Sequence, residues 1–263
     1  MHIRLVDYMV KVVIDGKVMQ VPAGTTALEA ARAAGIAIPA LCSIKALRPN
    51  KACRLCIVET RAPGLEKMVA ASCDLMVAEG MEIITGSAKI KKMRQDIAAL
   101  LLASLPDNAE VEALAASLGV SETPFTVASR DACALCGLCI QACQEKIGVA
   151  ALAFAAQNGK SVDVVLLDAS RCVGCGTCAN VCPTGAITVR DTGNKRELSL
   201  YGRAANTLDL ENCQACGAPF ATEKVISLLR DRLKKDALTM DAVYCPACAR
   251  ERNPAPRFEQ AAN

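Results

Sequence analysis

Sixteen cysteines fall into four quartets with none left over. The quartets are Cys42/Cys53/Cys56/Cys73, Cys133/Cys136/Cys139/Cys143, Cys172/Cys175/Cys178/Cys182 and Cys213/Cys216/Cys245/Cys248. Every quartet contains a C-x-x-C step, the separation that lets two thiolates of one turn reach a single metal centre. A chain that groups all its thiols this way is most simply read as a carrier of several metal centres.

Composition agrees. Aromatic residues make up only 3% of the chain and there is no tryptophan, while alanine and the cysteines inflate the 52% hydrophobic content. Metal cross-links supply the stability that small domains with thin cores lack. A net charge of +3 leaves no electrostatic footprint for nucleic acid. The longest apolar stretches, Ile97–Leu105 and Gly148–Ala156, are too short to span a bilayer, so no direct membrane insertion is expected. The opening MHIRLVDYMVKVVIDGK lacks the apolar segment and small-residue cleavage site of a secretory leader. A disulfide framework would need an oxidising compartment; the tight C-x-x-C repeats favour metal chemistry in a reducing cytoplasm.

The pattern along the chain is α+β. Lys11–Ile14 and Lys17–Val21 are β-rich runs flanking Asp15-Gly16, a two-residue hairpin signal. Thr26 with Glu29 forms a capping box, and Gly35 closes the helix they start. Hairpin, helix and a long cysteine-bearing loop fit a β-grasp ferredoxin domain over residues 1–87, with Met81–Ile84 as its last strand. A helical linker follows over 88–130: Ala88 to about Leu105, with Ile90, Met93, Ile97, Leu100 and Leu101 on one face, then Glu110–Leu118 ending at Gly119. Two ferredoxin-type cysteine runs occupy 131–192, with a β-rich segment at Val162–Leu167 between them. A C-terminal four-Cys region spans 205–252 around a helix, Thr222–Lys235, and residues 253–263 read as disordered.

The first quartet has gaps of ten, two and sixteen residues. Three thiolates on one loop with a distant fourth is the 2Fe–2S layout, although the first gap is longer than the plant-type C-x4-C. A structural zinc is the alternative. In the two central runs, the last cysteine of each is expected to ligate the cluster of the other run. This assigns Cys133, Cys136, Cys139 and Cys182 to one 4Fe–4S cluster, and Cys172, Cys175, Cys178 and Cys143 to the second. Cys182 is followed by the expected proline, Pro183, whereas Cys143 is followed by Gln144. The last quartet, CQACG and CPAC separated by 28 residues, reads as a closed zinc site. A third 4Fe–4S cluster or a rubredoxin-like iron would use the same Cys213, Cys216, Cys245 and Cys248. No Gly-rich dinucleotide or phosphate loop and no nucleophile–histidine pair is visible, since His2 is the only histidine.

From about Met9 to Val189 the chain resembles the N-terminal part of the large iron–sulfur subunit of complex I's NADH-oxidising arm. It likewise resembles the same module in the diaphorase small subunit of NAD-linked hydrogenases and at the front of iron-only hydrogenases. The likeness rests on the first-quartet spacing, on CALCGLCIQACQEKIGVAALAF and CVGCGTCANVCPTGAI, and on IKKMRQDIAALLLASLPD with VEALAASLGV. Members of that family usually hold one more 4Fe–4S cluster, on one His and three Cys, in the segment between the two cluster domains. Here no His or Cys occurs between Cys73 and Cys133. The resemblance implies an electron-relaying subunit between a flavin- and NAD(P)-binding subunit and a catalytic subunit: a hydrogenase, a formate dehydrogenase or another reductase, in some cases electron-bifurcating. A free-standing multi-cluster ferredoxin and a metal-stabilised assembly or redox-sensing protein are the alternatives.

Overall fold

The computed structural model describes residues 8–127, 133–157, 161–235 and 242–252. His2, the end of the linker and the 253–263 tail lie outside them. The chain divides into two compact units, 1–141 with Pro183–Gly185, and 142–182 with 186–263.

The first unit is built on a five-stranded sheet in which, from one edge to the other, the second strand is followed by the first, fifth, third and fourth. Strands β1 (Met9–Ile14) and β2 (Lys17–Pro22) form the expected hairpin, with Asp15 and Gly16 both at positive φ as a tight two-residue turn requires. Helix α1 (Ala27–Ala33) starts at the Thr26/Glu29 capping box. It ends in a Schellman motif, with the Ile36 amide donating to Ala31 and that of Gly35 to Arg32. Between Cys56 and Cys73, where the sequence suggests only a loop, lie β3 (Ile57–Arg61) and β4 (Met68–Ala71), paired antiparallel. Strand β5 (Met81–Ile84) runs parallel to β1 and antiparallel to β3. Val12, Ile14, Leu28, Ala30, Val58 and Ile83 form the core, which also takes in Cys56 and Cys73.

Helices α2 (Ala88–Ser104) and α3 (Ala109–Ser117) follow, capped by Ser87 and Asn108. The buried face of α2 differs from the expected one. Ile90, Arg94, Ala98 and Leu102 are buried, whereas Leu100 is 49% exposed. A stripe of step four, carrying small alanines and one arginine, packs inward, because small residues let the helix approach its neighbours closely. The short α4 (Leu138–Gln141) ends this unit's main segment.

The second unit opens with a π-helical turn, Ala142–Ile147, and a hairpin of β6 (Leu152–Gln157) and β7 (Ser161–Leu166). The short α5 (Thr177–Asn180) precedes a four-stranded antiparallel sheet of order β11-β10-β9-β8. Its strands are β8 (Ile187–Thr192), β9 (Lys195–Leu200), β10 (Arg203–Asn212) and β11 (Pro219–Thr222). The sequence pattern does not announce this meander. It turns at Gly193-Asn194 and at Tyr201-Gly202, with Tyr201 and Gly202 both left-handed. Helices α6 (Glu223–Lys235) and α7 (Pro246–Arg252) complete the unit. Thr222 caps α6 by accepting from the Val225 amide.

Candidate metal centres

In the first quartet the four thiols form two pairs. The sulfurs of Cys42 and Cys53 are 3.3 Å apart, and those of Cys56 and Cys73 are hydrogen-bonded to each other. The hydrogen bond within each pair pulls one thiol down and pushes its partner up. The thiol of Cys42 draws Cys53 down to about 5, and that of Cys73 draws Cys56 down to about 6. Cys42 and Cys73 are held well above the ordinary thiol range, first by that same hydrogen bond and then by burial. The Cys53 N–H, donating to the Cys42 sulfur at 3.3 Å, works against that rise. The loop owes these amide directions to Lys51 and Arg54, two non-glycine residues at φ 57°. A donor set of two close thiol pairs, with Cys42, Cys56 and Cys73 buried and Cys53 half-buried, fits a binuclear cluster, which needs two ligands on each iron.

Among the central cysteines, Cys136 and Cys139 are buried in the first unit, and the Leu135 amide points at the Cys133 sulfur at 3.4 Å. Leu135 is another non-glycine residue at positive φ, and Gly137 is at φ 74°. Asn50, from the loop of the first quartet, donates its side-chain amide to the Cys136 carbonyl. In the second unit a narrow cavity is lined by Cys143, Cys172, Cys175 and Cys178; Cys182 is not in its wall. The Ala151 amide donates to the Cys143 sulfur at 3.3 Å. Burial, then the charges of Cys175 and Cys172, pushes the Cys178 thiol up to about 12. Four crowded thiolates of this kind need a cationic core between them, which is what an iron–sulfur cluster supplies. With Gln144 rather than proline after Cys143, the chain leaves this site along the π-turn, and the Val149 amide returns to the Cys143 carbonyl at 3.2 Å.

The cysteine loop of this second site is clamped by the C-terminal sheet. Thr222 donates its hydroxyl to the Val173 carbonyl, and Lys224 donates to Ser170 at 2.7 Å. Arg196 donates to the Gly174 carbonyl at 3.1 Å while holding Asp191 through two bonds of 2.7 Å. That guanidinium keeps the Asp191 carboxyl below its ordinary range. Gly174, at φ 68°, lets the loop approach so closely that an added Cβ would stand 3.0 Å from both Leu208 and Thr222.

The fourth quartet has a different geometry. Cys213, Cys216, Cys245 and Cys248 place their sulfurs within 4.8 Å of one another, and no other group of three or more does so among the described residues. Tetrahedral thiolates at a zinc–sulfur distance of about 2.3 Å would be about 3.8 Å apart; Cys216 and Cys245 are at 3.9 Å. A cubane holds its thiolates on separate corners and needs them spread wider, so this arrangement fits one ion. Cys213-x-x-Cys216 is the turn from β10 into β11, and Cys245-x-x-Cys248 opens α7. The Cys245 amide (3.2 Å) donates to the Cys213 sulfur and, with the amides of Cys216 and Ala215, lowers it to about 6. Cys248, the donor in this set, is raised to about 12 by the sulfurs of Cys245 and Cys216.

No helix among the described residues is long and apolar enough to cross a membrane. Residues 7–88 match the 2Fe-2S iron-sulfur cluster binding domain family, and residues 165–188 match the 4Fe-4S binding domain family. An NADH-quinone oxidoreductase subunit of Rhizobium meliloti is 30% identical over 207 residues, 68% of this chain and 24% of its own. The HndD subunit of the NADP-reducing hydrogenase of Solidesulfovibrio fructosivorans is 30% identical over 214 residues, covering 68% of this chain and 36% of its own. The chain thus spans roughly a quarter to a third of the length of these relatives. Among solved structures, a chain of an NAD+-reducing [NiFe]-hydrogenase in the H2-reduced state superposes with a TM-score of 0.55 at 29% identity, over 67% of this chain and 85% of that one. The chain carries the iron–sulfur module shared by the large iron–sulfur subunit of complex I's NADH-oxidising arm, the diaphorase small subunit of NAD-linked hydrogenases and the front of iron-only hydrogenases.

Proposed function

We propose that this chain relays electrons between a flavin- and NAD(P)-binding subunit and a catalytic subunit of a multi-subunit oxidoreductase. The observation that carries the reading is the contrast among its thiol sites. Among the described residues only the fourth quartet gathers its sulfurs within 4.8 Å of one another, as a single ion needs, and the other three do not. On this reading Cys42 and Cys53 hold one iron of a 2Fe–2S cluster, and Cys56 and Cys73 hold the other. Cys143 joins Cys172, Cys175 and Cys178 around one 4Fe–4S cluster, and Cys182 joins Cys133, Cys136 and Cys139 around its companion. The clusters supply one-electron carriers. The chain's own residues hold the thiolates, aim amides at the sulfurs and shield the sites from water.

The fourth site is assigned to zinc as a redox-silent staple, fixing the β10–β11 turn to α7. Donors at the ends of such a relay are nicotinamide and flavin carriers, by likeness to relatives named for NADH and NADP chemistry. The segment that lacks the histidine and three cysteines contributes a scaffold, α2 and α3, and no carrier. Anaerobic purification with iron, sulfide and zinc analysis tests all of this, combined with EPR during stepwise reduction. About ten irons and one zinc per chain, with one 2Fe–2S and two interacting 4Fe–4S signals, is the expected result. About fourteen irons without zinc would move the fourth site into the relay, and mostly zinc with little iron would overturn electron transfer.

A further inference from the structure

Arg94 is a buried cation on a helix face otherwise formed by Ile90, Ala98, Ala99, Leu102 and Ala103. It is 6% exposed, and its guanidinium donates to two neutral acceptors, the Leu55 carbonyl at 3.0 Å and the Ile57 carbonyl at 2.7 Å. Those two residues flank Cys56. No carboxylate lies within 4.0 Å of this guanidinium among the described residues. Asp15, whose carboxylate accepts from the Thr85 amide at 2.8 Å and from its hydroxyl, adds an attraction weaker than that of Cys56. Burial works against the charge on Arg94, and the strongest attraction supporting it comes from Cys56. A buried charge without a counterion is strongly destabilising. Neutral carbonyls satisfy its hydrogens but do not cancel its charge.

We infer that Arg94 is the buried counterion of the 2Fe–2S centre, holding the Cys56 turn in place and raising the reduction potential of that centre. The inference rests on the 2Fe–2S reading of the first quartet. A cluster on four thiolates is anionic and gains one more negative charge on reduction, so a fixed neighbouring cation favours the reduced state. For unit charges roughly 10 Å apart at an effective dielectric near 20, the attraction corresponds to about a tenfold change in the reduced-to-oxidised ratio. For a one-electron couple that is about 59 mV.

The test uses the full chain, purified without oxygen, with the 2Fe–2S signal of the unmodified protein established first; absence of that signal sinks the parent reading rather than this one. Arg94→Gln keeps a donor and removes the charge, whereas Arg94→Lys keeps the charge. In an EPR-monitored redox titration, R94Q is expected to lower the reduced-to-oxidised ratio at fixed potential about tenfold, and R94K to stay within about twofold of the unmodified protein. An unchanged ratio in R94Q, or equal shifts in both variants, overturns the proposal by assigning Arg94 a purely geometric role. Should R94Q fail to load iron, the loading of R94K decides: retained iron and sulfide support the counterion role, and loss in both variants overturns it.

Discussion

Replacing Gly174 by alanine probes how the cysteine loop of the second unit is built. At φ 68° an L side chain is strained, by about 1–2 kcal/mol. The added Cβ would also meet Leu208 and Thr222 at 3.0 Å each, closer than packed side chains tolerate, and overpacking of this kind costs about 1–3 kcal/mol. Together these place Gly174→Ala at about 2–5 kcal/mol. Gly202 is the control: its φ is 74° and nothing lies within 4 Å of its Cβ position, so Gly202→Ala carries the backbone penalty alone, about 1–2 kcal/mol. With a urea slope of about 2 kcal/mol/M, the midpoint of cluster-absorbance loss should fall by about 1–2.5 M for G174A and by about 0.5–1 M for G202A. Unfolding of a cluster protein is not simply two-state, so the comparison between the variants is the readout. Adding Thr222→Ser to G174A removes the Cγ2 contact while keeping the hydroxyl that binds Val173, and should recover part of the loss. Equal midpoints for G174A and G202A would refute the close-packing argument, and an excess loss in G174A that T222S leaves untouched would refute the Thr222 contact as its source.

The remaining perturbations separate the sites. Cys143→Ala should deplete the cluster of the Cys172 run, and Cys182→Ala that of the Cys133 run, each read from iron content and the loss of spin–spin interaction in EPR; the reverse pattern would refute the exchanged ligation. Removal of zinc by a chelator should release one ion per chain and expose the β10–β11 turn to protease, without lowering the 2Fe–2S signal. The pH dependence of that site follows from Cys213. Its folded pKa, about 6, is depressed from the ordinary thiol value of 9.0, so its thiolate form is stabilised above the ordinary thiol range and that contribution is lost as pH falls through about 6. Chelator competition should therefore show zinc affinity falling increasingly steeply below about pH 6, because ligands must be deprotonated to bind. For the charge pair beside the second cluster, Arg196→Gln should lower the potential and Asp191→Asn raise it; the double variant should return close to the original value. A double variant that adds the two shifts in one direction would disprove the cancellation.

Much of this arrangement is legible in the sequence where local chemistry decides the outcome. Asp15-Gly16, the Thr26/Glu29 capping box and Gly35 each prescribe a backbone conformation, and the structure adopts all three. The β8–β11 meander escapes because its turn at Tyr201-Gly202 seats a tyrosine at φ 54°, a conformation that asparagine and glycine usually announce. Lys51 and Arg54 are equally silent, since nothing about a lysine or an arginine signals a left-handed position. Arg94 hides for another reason. In the sequence a charged residue between lysines and alanines reads as solvated surface, and only the packing of α2 turns it inward.

The two arginines then show why residue type alone does not give function. Arg196 and Arg94 each donate to carbonyls of a cysteine-bearing turn, so as hydrogen-bond struts they are equivalent. Arg196 also grips Asp191 through Nε and Nη2, and that pair presents little net charge to the cavity beside it. Arg94 has no carboxylate within 4.0 Å among the described residues, and the largest attraction on its charge comes from Cys56, ahead of Asp15. A strut with a carboxylate fixes geometry and leaves the potential alone, whereas a strut without one does both. Setting the two side by side within one chain provides a means of biasing the first cluster toward holding an electron without altering the ligands of either.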